Sequence, residues 1–360
     1  MIRSAGRIRR LFEGPDFREA EFSRGSAMRF RQQRGPIAVG AVCAVAALTV
    51  AACSSTGGAP RSSDDGSNAG VADTPSATIA MITHEVPGDT FWDLVRKGAE
   101  AAAAKDNIEL RYSADPEAPN QANLVQSAID SKVDGIAVTL AKPDAMAPSV
   151  EAATAAGIPV VAFNSGYDSW KDMGVQQYFG QDETIAGQAA GARLTEDGAR
   201  KTLCIIQEQG AVALEARCAG VTEGFGGTTE ILNVNSKDMP SVESTITAKL
   251  QQDPSIDHVI ALAAPIALTA VQSKNNAGSD ATIVTFDTNA ALVDAIESGD
   301  VAWAIDQQPY LQGYLAIDSL WLYLNNGNTI GGGTPVLTGP AFIDSTNIDA
   351  VAEYARNGTR

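Results

Sequence analysis

Short apolar runs rich in β-branched residues alternate with longer amphipathic stretches along most of the chain. This alternation is typical of βαβ units, in which helices connect the strands of a parallel sheet. About ten such runs exceed what one doubly wound sheet holds comfortably, so the pattern predicts an α/β protein of two Rossmann-like lobes with parallel sheets. The predicted strands are Thr78–Thr83, Ile108–Tyr112, Gly135–Leu140, Pro159–Asn164, Gln176–Phe179, Leu203–Gln207, Thr229–Val234, His258–Ala263, Thr282–Asp287 and Ala302–Asp306. The predicted helices include Phe91–Lys105, Asp144–Ala156, Thr184–Thr195, Val242–Gln252 and Ala290–Ser298.

Two of the predicted strands end in the same way. The segments Gly157–Asn164 and Ala281–Asp287 are both apolar and finish with Phe and a short polar residue. In an open parallel sheet, the carboxyl ends of the strands line the ligand crevice. We therefore expect Asn164 and Asp287 to face each other from the two lobes across a cleft.

The N-terminal pattern differs from the rest of the chain. Residues 37–52 form an apolar run that follows several arginines and ends in small residues. The run is too short to span a bilayer comfortably, so residues 1–52 are predicted to be a signal peptide, with Met28 as an alternative start. The tetrad Val50–Cys53 resembles a bacterial lipobox, in which Cys53 is lipidated and becomes the first mature residue. An ordinary signal peptide cleaved nearby and a buried apolar helix are the alternatives.

The segment that follows is polar and lacks apolar periodicity. Residues 53–76 are rich in Gly, Ser, Asp and Ala, which predicts a lipidated, flexible tether. Nothing after Cys53 looks membrane-spanning, so the lipid is expected to be the only membrane anchor. The expected location is the outer side of the cytoplasmic membrane, with the exported chain anchored there as a lipoprotein.

The charge balance restricts the classes of partner and activity. Residues 1–52 contain nine Arg and four acidic residues, so the rest of the chain carries 17 basic and 39 acidic residues, a net charge of −22. Such a surface repels phosphate backbones and argues against nucleic acid as a partner. The chain has no GxGxxG after a strand, no P-loop and no GxSxG elbow, and His84 and His258 have no evident catalytic partners. We therefore expect no enzyme activity and no cofactor.

Two cysteines, Cys204 and Cys218, remain after the predicted signal and Cys53. In an exported protein a disulfide is the default for such a pair. Two buried free thiols are an alternative. Metal ligation is disfavoured because the chain has no CxxC pair and only two His, so no metal site is expected.

Several aromatic and polar side chains follow predicted strands and are candidates for ligand binding. Phe91 and Trp92 begin a helix after the first strand, and an aromatic face can pack against the C–H face of a sugar or polyol. Consecutive helical positions point about 100° apart, so we expect at least one ring to be core and favour Phe91 as the ligand-facing one. Gln307 can both donate to and accept from a hydroxyl, and the guanidinium of Arg217 suits vicinal hydroxyls.

The order of these motifs resembles the periplasmic sugar-binding proteins of the ribose-binding, LacI-related family that serve ABC importers. The resemblance covers residues 77–340. It depends on Asp89–Trp92, Asp134–Ile136, Gly157–Val161 with Asn164, Arg217 with Gly220, Phe286–Asn289 and Gln307–Gly313. It implies the type I periplasmic binding protein fold, with one lobe formed by 77–181 plus 309–332 and the other by 182–308 plus 333–360. Three hinge crossings are expected near 181–182, 307–308 and 331–333.

The resemblance also implies the function and the ligand-binding residues. The expected function is a monomeric substrate-binding lipoprotein that closes on a neutral sugar or polyol and delivers it to the membrane permease of an ABC importer. A binding protein of the same fold that reports to a chemoreceptor or signals is the alternative. The expected ligand-binding residues are Asp89, Phe91, Trp92, Thr139, Asn164, Ser165, Arg217, Asp287 and Gln307.

Two segments depart from the family pattern. Where many relatives place Asn-Asp, this chain has the apolar run Ala261–Pro265, which removes polar groups from the pocket wall. The connection 167–173 is longer than usual, and we expect it to add Tyr167 or Trp170 to the rim. These departures argue against pyranose recognition as in the best-known relatives, and they admit a smaller sugar or a linear polyol.

Overall fold

Two six-stranded sheets organise residues 72–360, the part of the chain that the computed structural model describes. The predicted signal peptide, Cys53 and residues 54–71 of the predicted tether lie outside the described residues. The strands are β1 (Ala77–Thr83), β2 (Ile108–Ala114), β3 (Gly135–Val138), β4 (Val160–Phe163), β5 (Gln177–Gly180), β6 (Lys201–Ile206), β7 (Thr228–Asn233), β8 (His258–Ala261), β9 (Thr282–Phe286), β10 (Trp303–Asp306), β11 (Val336–Leu337) and β12 (Ala341–Asp344).

Each sheet is the centre of one α/β lobe. The strand order is β11-β5-β4-β3-β1-β2 in the first sheet and β12-β10-β9-β8-β6-β7 in the second, and only β12 runs antiparallel to its neighbour. The two α/β lobes with parallel sheets that the sequence predicts are confirmed. The helices are α1 (Thr90–Asp106), α2 (Ala118–Asp130), α3 (Pro143–Ala155), α4 (Glu183–Glu196), α5 (Val212–Gly224), α6 (Met239–Gln252), α7 (Ala264–Ala277), α8 (Ala290–Ser298), α9 (Pro309–Asn326) and α10 (Asp349–Arg356).

The central strands of both lobes are buried because helices cover both faces of each sheet, whereas the edge strands β2 and β7 are partly exposed. Every residue of β3, β4, β8 and β10 is buried, as expected for continuous apolar runs in parallel sheets. The amphipathic helices supply the remaining core, for example Val242, Ile246 and Leu250 on one face of α6.

Helices α1, α4 and α8 each begin with a side-chain cap that follows a strand. The carboxylates of Asp89 and Asp182 accept from the backbone N–H of Phe91 (3.1 Å) and Ile185 (3.0 Å). The side-chain oxygen of Asn289 accepts from the N–H of Leu292 at 2.7 Å. These caps satisfy N–H groups that have no partner within the helix, and they fix where α1, α4 and α8 start.

The chain passes between the lobes three times. The first two crossings, between β5 and α4 and between β10 and α9, occupy residues 181–182 and 307–308. The third lies at 338–340, because β11 still pairs with β5 of the first sheet and β12 pairs with β10 of the second. The predicted third crossing at 331–333, and the lobe boundary drawn there, are therefore displaced by several residues.

Glycines bring the paired helices of the first lobe close together. A Cβ atom at Gly98 of α1 would collide with the carbonyl oxygen of Tyr310, and one at Gly313 of α9 would collide with that of Val95. Helices α4 and α5 make the equivalent close pair in the second lobe. Helices α4 and α9 both start directly after a crossing, so these pairs attach the crossing segments firmly to their lobes.

Cys204 of β6 and Cys218 of α5 form a disulfide, with their Cα atoms 5.9 Å apart. Both residues are fully buried in the second lobe. The bond ties the second helix of the α4–α5 pair to the sheet. Between residues 72 and 360, no helix combines the length and the apolar character that a membrane crossing needs.

Candidate functional site

The cleft lies between the lobes, where the carboxyl ends of both sheets meet. Asn164 follows β4 and Asp287 follows β9, and both are buried. The backbone N–H of each continues the sheet, donating to the carbonyl of Phe179 and of Ile305, both at 2.8 Å. Each then adopts a left-handed conformation, with φ of 64° for Asn164 and 67° for Asp287. Asn and Asp tolerate this conformation better than other residues with a Cβ.

Gln307 connects these two residues across the second crossing. Its Nε2 donates to Oδ1 of Asp287 at 2.6 Å, and its Oε1 accepts from Nδ2 of Asn164 at 3.3 Å. Gln312 of α9 holds Gln307 in place, donating to the same Oε1 at 2.9 Å. The three polar groups of the predicted site are thus joined in one chain of hydrogen bonds, which leaves Oδ2 of Asp287 and Oδ1 of Asn164 as acceptors.

Burial raises the pKa of Asp287 to about 7, against the opposing effects of Arg217 and the bond from Gln307. The carboxyl group therefore exists in both protonation states near neutral pH. Hydroxyl donors of a ligand would favour the charged form, because hydrogen bonds to a carboxylate replace the solvation that burial removes.

Arg217 forms a buried ion pair with Glu183 that the sequence did not indicate. Its Nε and Nη2 donate to the two carboxylate oxygens at 2.6 and 2.9 Å, while Nη1 donates to the carbonyl of Leu262 at 3.1 Å. Burial alone would lower the pKa of Arg217, but Glu183 outweighs it and the pKa is raised. These bonds use three of the five N–H groups of the guanidinium, so Arg217 lines the cleft with its charge already neutralised.

Asp89, Phe91 and Trp92 line the cleft at the start of α1. Both rings are buried and pack edge to face, with centroids 5.1 Å apart, and both also belong to the core of the first lobe. Each ring therefore contributes to both the core and the cleft lining. The sequence predicted at least one core ring and favoured Phe91 as the ligand-facing one. Burial raises the pKa of Asp89 to about 6, although the N–H of Phe91 opposes the shift.

His84 lines the cleft, and Thr139 lies directly behind it. The hydroxyl oxygen of Thr139 accepts from the N–H of His84 (3.1 Å) and from Nε2 of Gln121 (3.1 Å), and it lies 2.7 Å from Nδ1 of His84. With both lone pairs used, the Thr139 O–H donates to Nδ1, which leaves Nε2–H as a donor. Burial lowers the pKa of His84, in keeping with this neutral ring.

Only some of the remaining residues predicted to contact the ligand line the cleft. Ser165 lines the cleft and is buried. Thr139 is not among the lining residues, so it contacts His84 instead of the cavity. Trp170 packs in the core of the first lobe, and Tyr167 borders a separate cavity beside Tyr178. Trp170 is therefore not at the rim of the cleft, and the expected addition of Tyr167 stays a prediction.

Sequence reasoning missed several lining residues. These are His84, Val86, Gln207, Glu208, Ala211, Ala213, Leu214 and Ser236. Most follow a strand of the first or second sheet at its carboxyl end, so their position after β1, β6 and β7 was the available signal. Leu262 and Ala263 form an apolar part of the cleft wall, as the run Ala261–Pro265 predicts.

The arrangement suits a small neutral molecule with many hydroxyls. Carboxylates and amides from both lobes supply acceptors, while His84 and Arg217 supply donors. Within residues 72–360, no three His, Cys, Asp or Glu side chains are grouped so that they could hold a metal ion.

The family model for the periplasmic binding protein domain matches residues 79–329, which include the cleft and most of both lobes. The chain belongs to this family. Periplasmic binding proteins bind solutes and are not enzymes, in agreement with the expectation from the sequence.

Three relatives of this periplasmic binding protein are informative. A carbohydrate transporter from Acidothermus cellulolyticus 11B, solved in complex with myo-inositol, is 59% identical; the match covers 79% of this chain and 100% of that one, with a TM-score of 0.79. A xylose/arabinose-binding protein of Sulfolobus acidocaldarius is 27% identical over 77% of this chain and 73% of its own length. A ribose import binding protein of Bacillus subtilis is 25% identical over 64% of this chain and 76% of its own length.

Proposed function

We propose that this protein is the substrate-binding component of an ABC importer and that its ligand is myo-inositol or a closely related neutral cyclitol. The observation that carries the proposal is a cleft lined by hydroxyl-binding groups from both lobes, in a chain 59% identical to a transporter protein solved with myo-inositol. A cyclitol ring offers hydroxyls around its whole edge and C–H groups on its faces. The polar groups of Asp287, Asn164 and His84 suit the edge, and Phe91 and Trp92 suit a face.

Closure of the lobes supplies the mechanism. A ligand in the cleft contacts Asn164 and His84 of the first lobe and Asp287 and Arg217 of the second. The closed state then gains contacts that the open state lacks, so binding shifts the population toward closure. The closed protein is the form that delivers its ligand to the permease.

Cys53 is proposed to carry the lipid that holds the monomeric protein on the outer side of the cytoplasmic membrane. The support is the tetrad Val50–Cys53 after the apolar run of residues 37–52. Replacing Cys53 with Ala should release the protein from the membrane fraction without changing its ligand affinity. Continued membrane association of this variant would contradict the anchor and leave the ligand assignment intact.

Calorimetry tests the ligand. The wild type is titrated with myo-inositol, D-xylose and D-ribose, and we expect myo-inositol to bind most tightly. Two hydrogen bonds to a charged group contribute roughly 1.5–3 kcal/mol each, so Asp287→Ala should weaken binding by at least about a hundredfold. Asp280→Ala is the matched control, because it deletes an exposed carboxylate of the same lobe that does not line the cleft. Unchanged affinity in a folded Asp287→Ala protein would overturn the proposed pocket, and the absence of binding to all three compounds would overturn the function.

A further inference from the structure

Residues 357–360, which we call the strap, leave α10 in a turn that fixes their direction. Gly358 has a positive φ of 68°, and its N–H donates to the carbonyl of Ala355 at 3.1 Å. The N–H of Thr359 donates to the carbonyl of Tyr354 at 2.9 Å. This pair of bonds is the Schellman arrangement that commonly ends a helix, and glycine tolerates the left-handed conformation that it requires. The local sequence therefore turns the strap away from the axis of α10.

The strap contacts both lobes. Nζ of Lys97, on α1 of the first lobe, donates to the carbonyl oxygen of Asn357 at 3.3 Å, and a Cβ atom at Gly358 would collide with the same Nζ. At the end of the strap, Nε of Arg360 donates to Oδ2 of Asp306 at 2.7 Å. Asp306 is the last residue of β10, where the second crossing begins. The strap thus runs between α1 and the second crossing.

Arg360 balances the charge of a buried carboxylate. The side chain of Asp306 is fully buried, whereas that of Arg360 is 30% exposed. Within residues 72–360, Arg360 is the only cationic side chain that forms an ion pair with Asp306. A buried carboxylate without a partner charge is unfavourable, because burial removes its hydration. Loss of the Arg360 guanidinium would therefore draw this carboxylate toward solvent.

The carboxylate of Asp306 shapes the second crossing. Its Oδ1 accepts from the backbone N–H of Gln308 at 2.8 Å, a bond that closes a turn around Gln307. Gln308 has a positive φ of 56°, and its Nε2 donates to the carbonyl of Thr338, in the third crossing, at 2.7 Å. A displaced Asp306 carboxylate would release this turn and change the backbone on both sides of Gln307.

We infer that Arg360 is a positioning residue for ligand recognition, acting through Asp306 on Gln307. Gln307 joins Asp287 to Asn164 in the cleft, so its position sets how these two groups meet a ligand. No residue of α10 or of the strap is among those that line the cleft, so Arg360 acts without touching the ligand. The inference goes beyond the proposed function, and only its affinity measurement rests on the proposed ligand.

The first measurement needs no ligand. The side-chain amide of Gln307 gives a pair of signals in a heteronuclear NMR spectrum of the full chain, identified by their loss in Gln307→Glu. Arg360→Met should shift these signals, because the turn around Gln307 loses its support. Arg360→Lys should restore them, since one donor and a positive charge are enough to replace a single hydrogen bond. Arg360→Gln, which keeps a donor without the charge, should shift them in the same direction as Arg360→Met.

Arg356→Met is the matched control. Arg356 also belongs to the end of α10, but its guanidinium pairs with Asp294 and Glu297 of α8, at 2.9 and 2.8 Å. These pairs lie within the second lobe and away from the crossings. The variant should leave the Gln307 signals and the affinity for myo-inositol unchanged.

The second measurement is calorimetry with myo-inositol. Arg360→Met should weaken binding at least about threefold, and Arg360→Lys should recover most of this loss. Asp306→Asn keeps the acceptor for the N–H of Gln308 but removes the charge. In that background, Arg360→Met should have no further effect on affinity, because the two residues act as one unit.

Two results would overturn the inference. One is a set of Gln307 signals that stays in place in folded Arg360→Met and Arg360→Gln proteins. The other is a loss of affinity on Arg360→Met that persists in full in the Asp306→Asn background. If the wild type does not bind myo-inositol, the proposed ligand fails, and the Gln307 signals alone decide the role of Arg360.

Discussion

Asn164 and Asp287 reach the cleft because of where their backbone leaves the sheet. Each makes one last hydrogen bond to the neighbouring strand and then turns with a positive φ, which aims a short polar side chain at the opposite lobe. At both positions, a longer or β-branched residue would strain the turn. Asn and Asp thus meet two requirements at once: each supplies a polar group to the cleft, and each tolerates the left-handed conformation.

The affinity for a hydroxylated ligand should depend on pH through Asp287. Its pKa is about 7 in the unliganded protein, above the ordinary value of 3.8. For protein stability, the protonated carboxyl group makes its full contribution below pH 4, and this contribution is lost as the pH rises through 7. Ligand hydroxyls donate to the charged form and so lower this pKa in the complex. If the pKa falls by one unit, the affinity should rise roughly tenfold between pH 5 and pH 7.5 and level off above.

Calorimetry at several pH values measures this dependence. Asp287→Asn keeps the shape and the tolerance for a positive φ but cannot ionise. Its binding curve should be flat above about pH 7, while Asp89, with a pKa of about 6, accounts for the change below. A wild-type affinity that is constant from pH 5 to pH 8 would contradict an ionised Asp287 as the acceptor.

Arg217 should contribute to stability as well as to binding. Arg217→Ala leaves the carboxylate of Glu183 buried without its partner, which costs about 3–5 kcal/mol of unfolding free energy. The double variant Arg217→Met, Glu183→Leu removes both charges and should recover most of that loss. Urea denaturation of the wild type, Arg217→Ala, the single variants Arg217→Met and Glu183→Leu, and the double variant provides the measurement. A double variant as unstable as the sum of the single variants would show that the pair is not coupled.

At the scale of elements, the sequence predicted every strand that carries the site. All ten predicted strands are present, with ends that differ by up to two residues, because continuous apolar runs between helices are a strong signal. The short β11 and β12 were missed: Val336–Leu337 has two residues and shows no periodicity, and only pairing with β5 makes it a strand. The third crossing was misplaced for the same reason.

The site also contains some features that the sequence could predict and others that it could not. Asn164, Asp287 and Gln307 follow strands, so their meeting in the cleft could be predicted from topology. The bond between Arg217 and Glu183 could not, because α4 and α5 are brought together by tertiary packing. The family resemblance implied Thr139 as a ligand-binding residue, yet its hydroxyl contacts His84 and Gln121 of α2 instead.

The disulfide should stabilise the second lobe at the α5 end of the cleft. Cys204 and Cys218 are 14 residues apart, and closing such a loop contributes about 3 kcal/mol in the chain-entropy model. The double variant Cys204→Ala, Cys218→Ala should therefore lose about 2–4 kcal/mol of unfolding free energy, as measured by urea denaturation. Detection of Cys204 and Cys218 as free thiols in the denatured wild type, under non-reducing conditions, would contradict the bond.

At the scale of the whole molecule, several contacts join the lobes across the cleft. Lys142 of the first lobe pairs with Glu208 of the second at 3.2 Å, and Nδ2 of Asn289 donates to Oγ1 of Thr90 at 3.1 Å. A backbone bond from the N–H of Val212 to the carbonyl of Ala141, at 2.9 Å, lies beside the first pair. These contacts exist only while the lobes are together, so they stabilise the closed state without depending on which ligand is bound.

Lys142 can test whether contacts between the lobes affect closure without affecting the choice of ligand, because it is not among the residues that line the cleft. Lys142→Met removes the ion pair across the cleft, and partly exposed pairs contribute about 0.2–1 kcal/mol. We expect a loss of affinity of up to about fivefold for every ligand, mainly through faster dissociation in stopped-flow measurements, with the ranking of ligands unchanged. The loss should shrink at high salt, where the pair is already screened in the wild type.

Lys274→Met, which removes a lysine of α7 that forms no ion pair within residues 72–360, should change neither rate. A Lys142→Met protein that alters the ranking of myo-inositol against D-xylose would place Lys142 in recognition and contradict a role confined to closure.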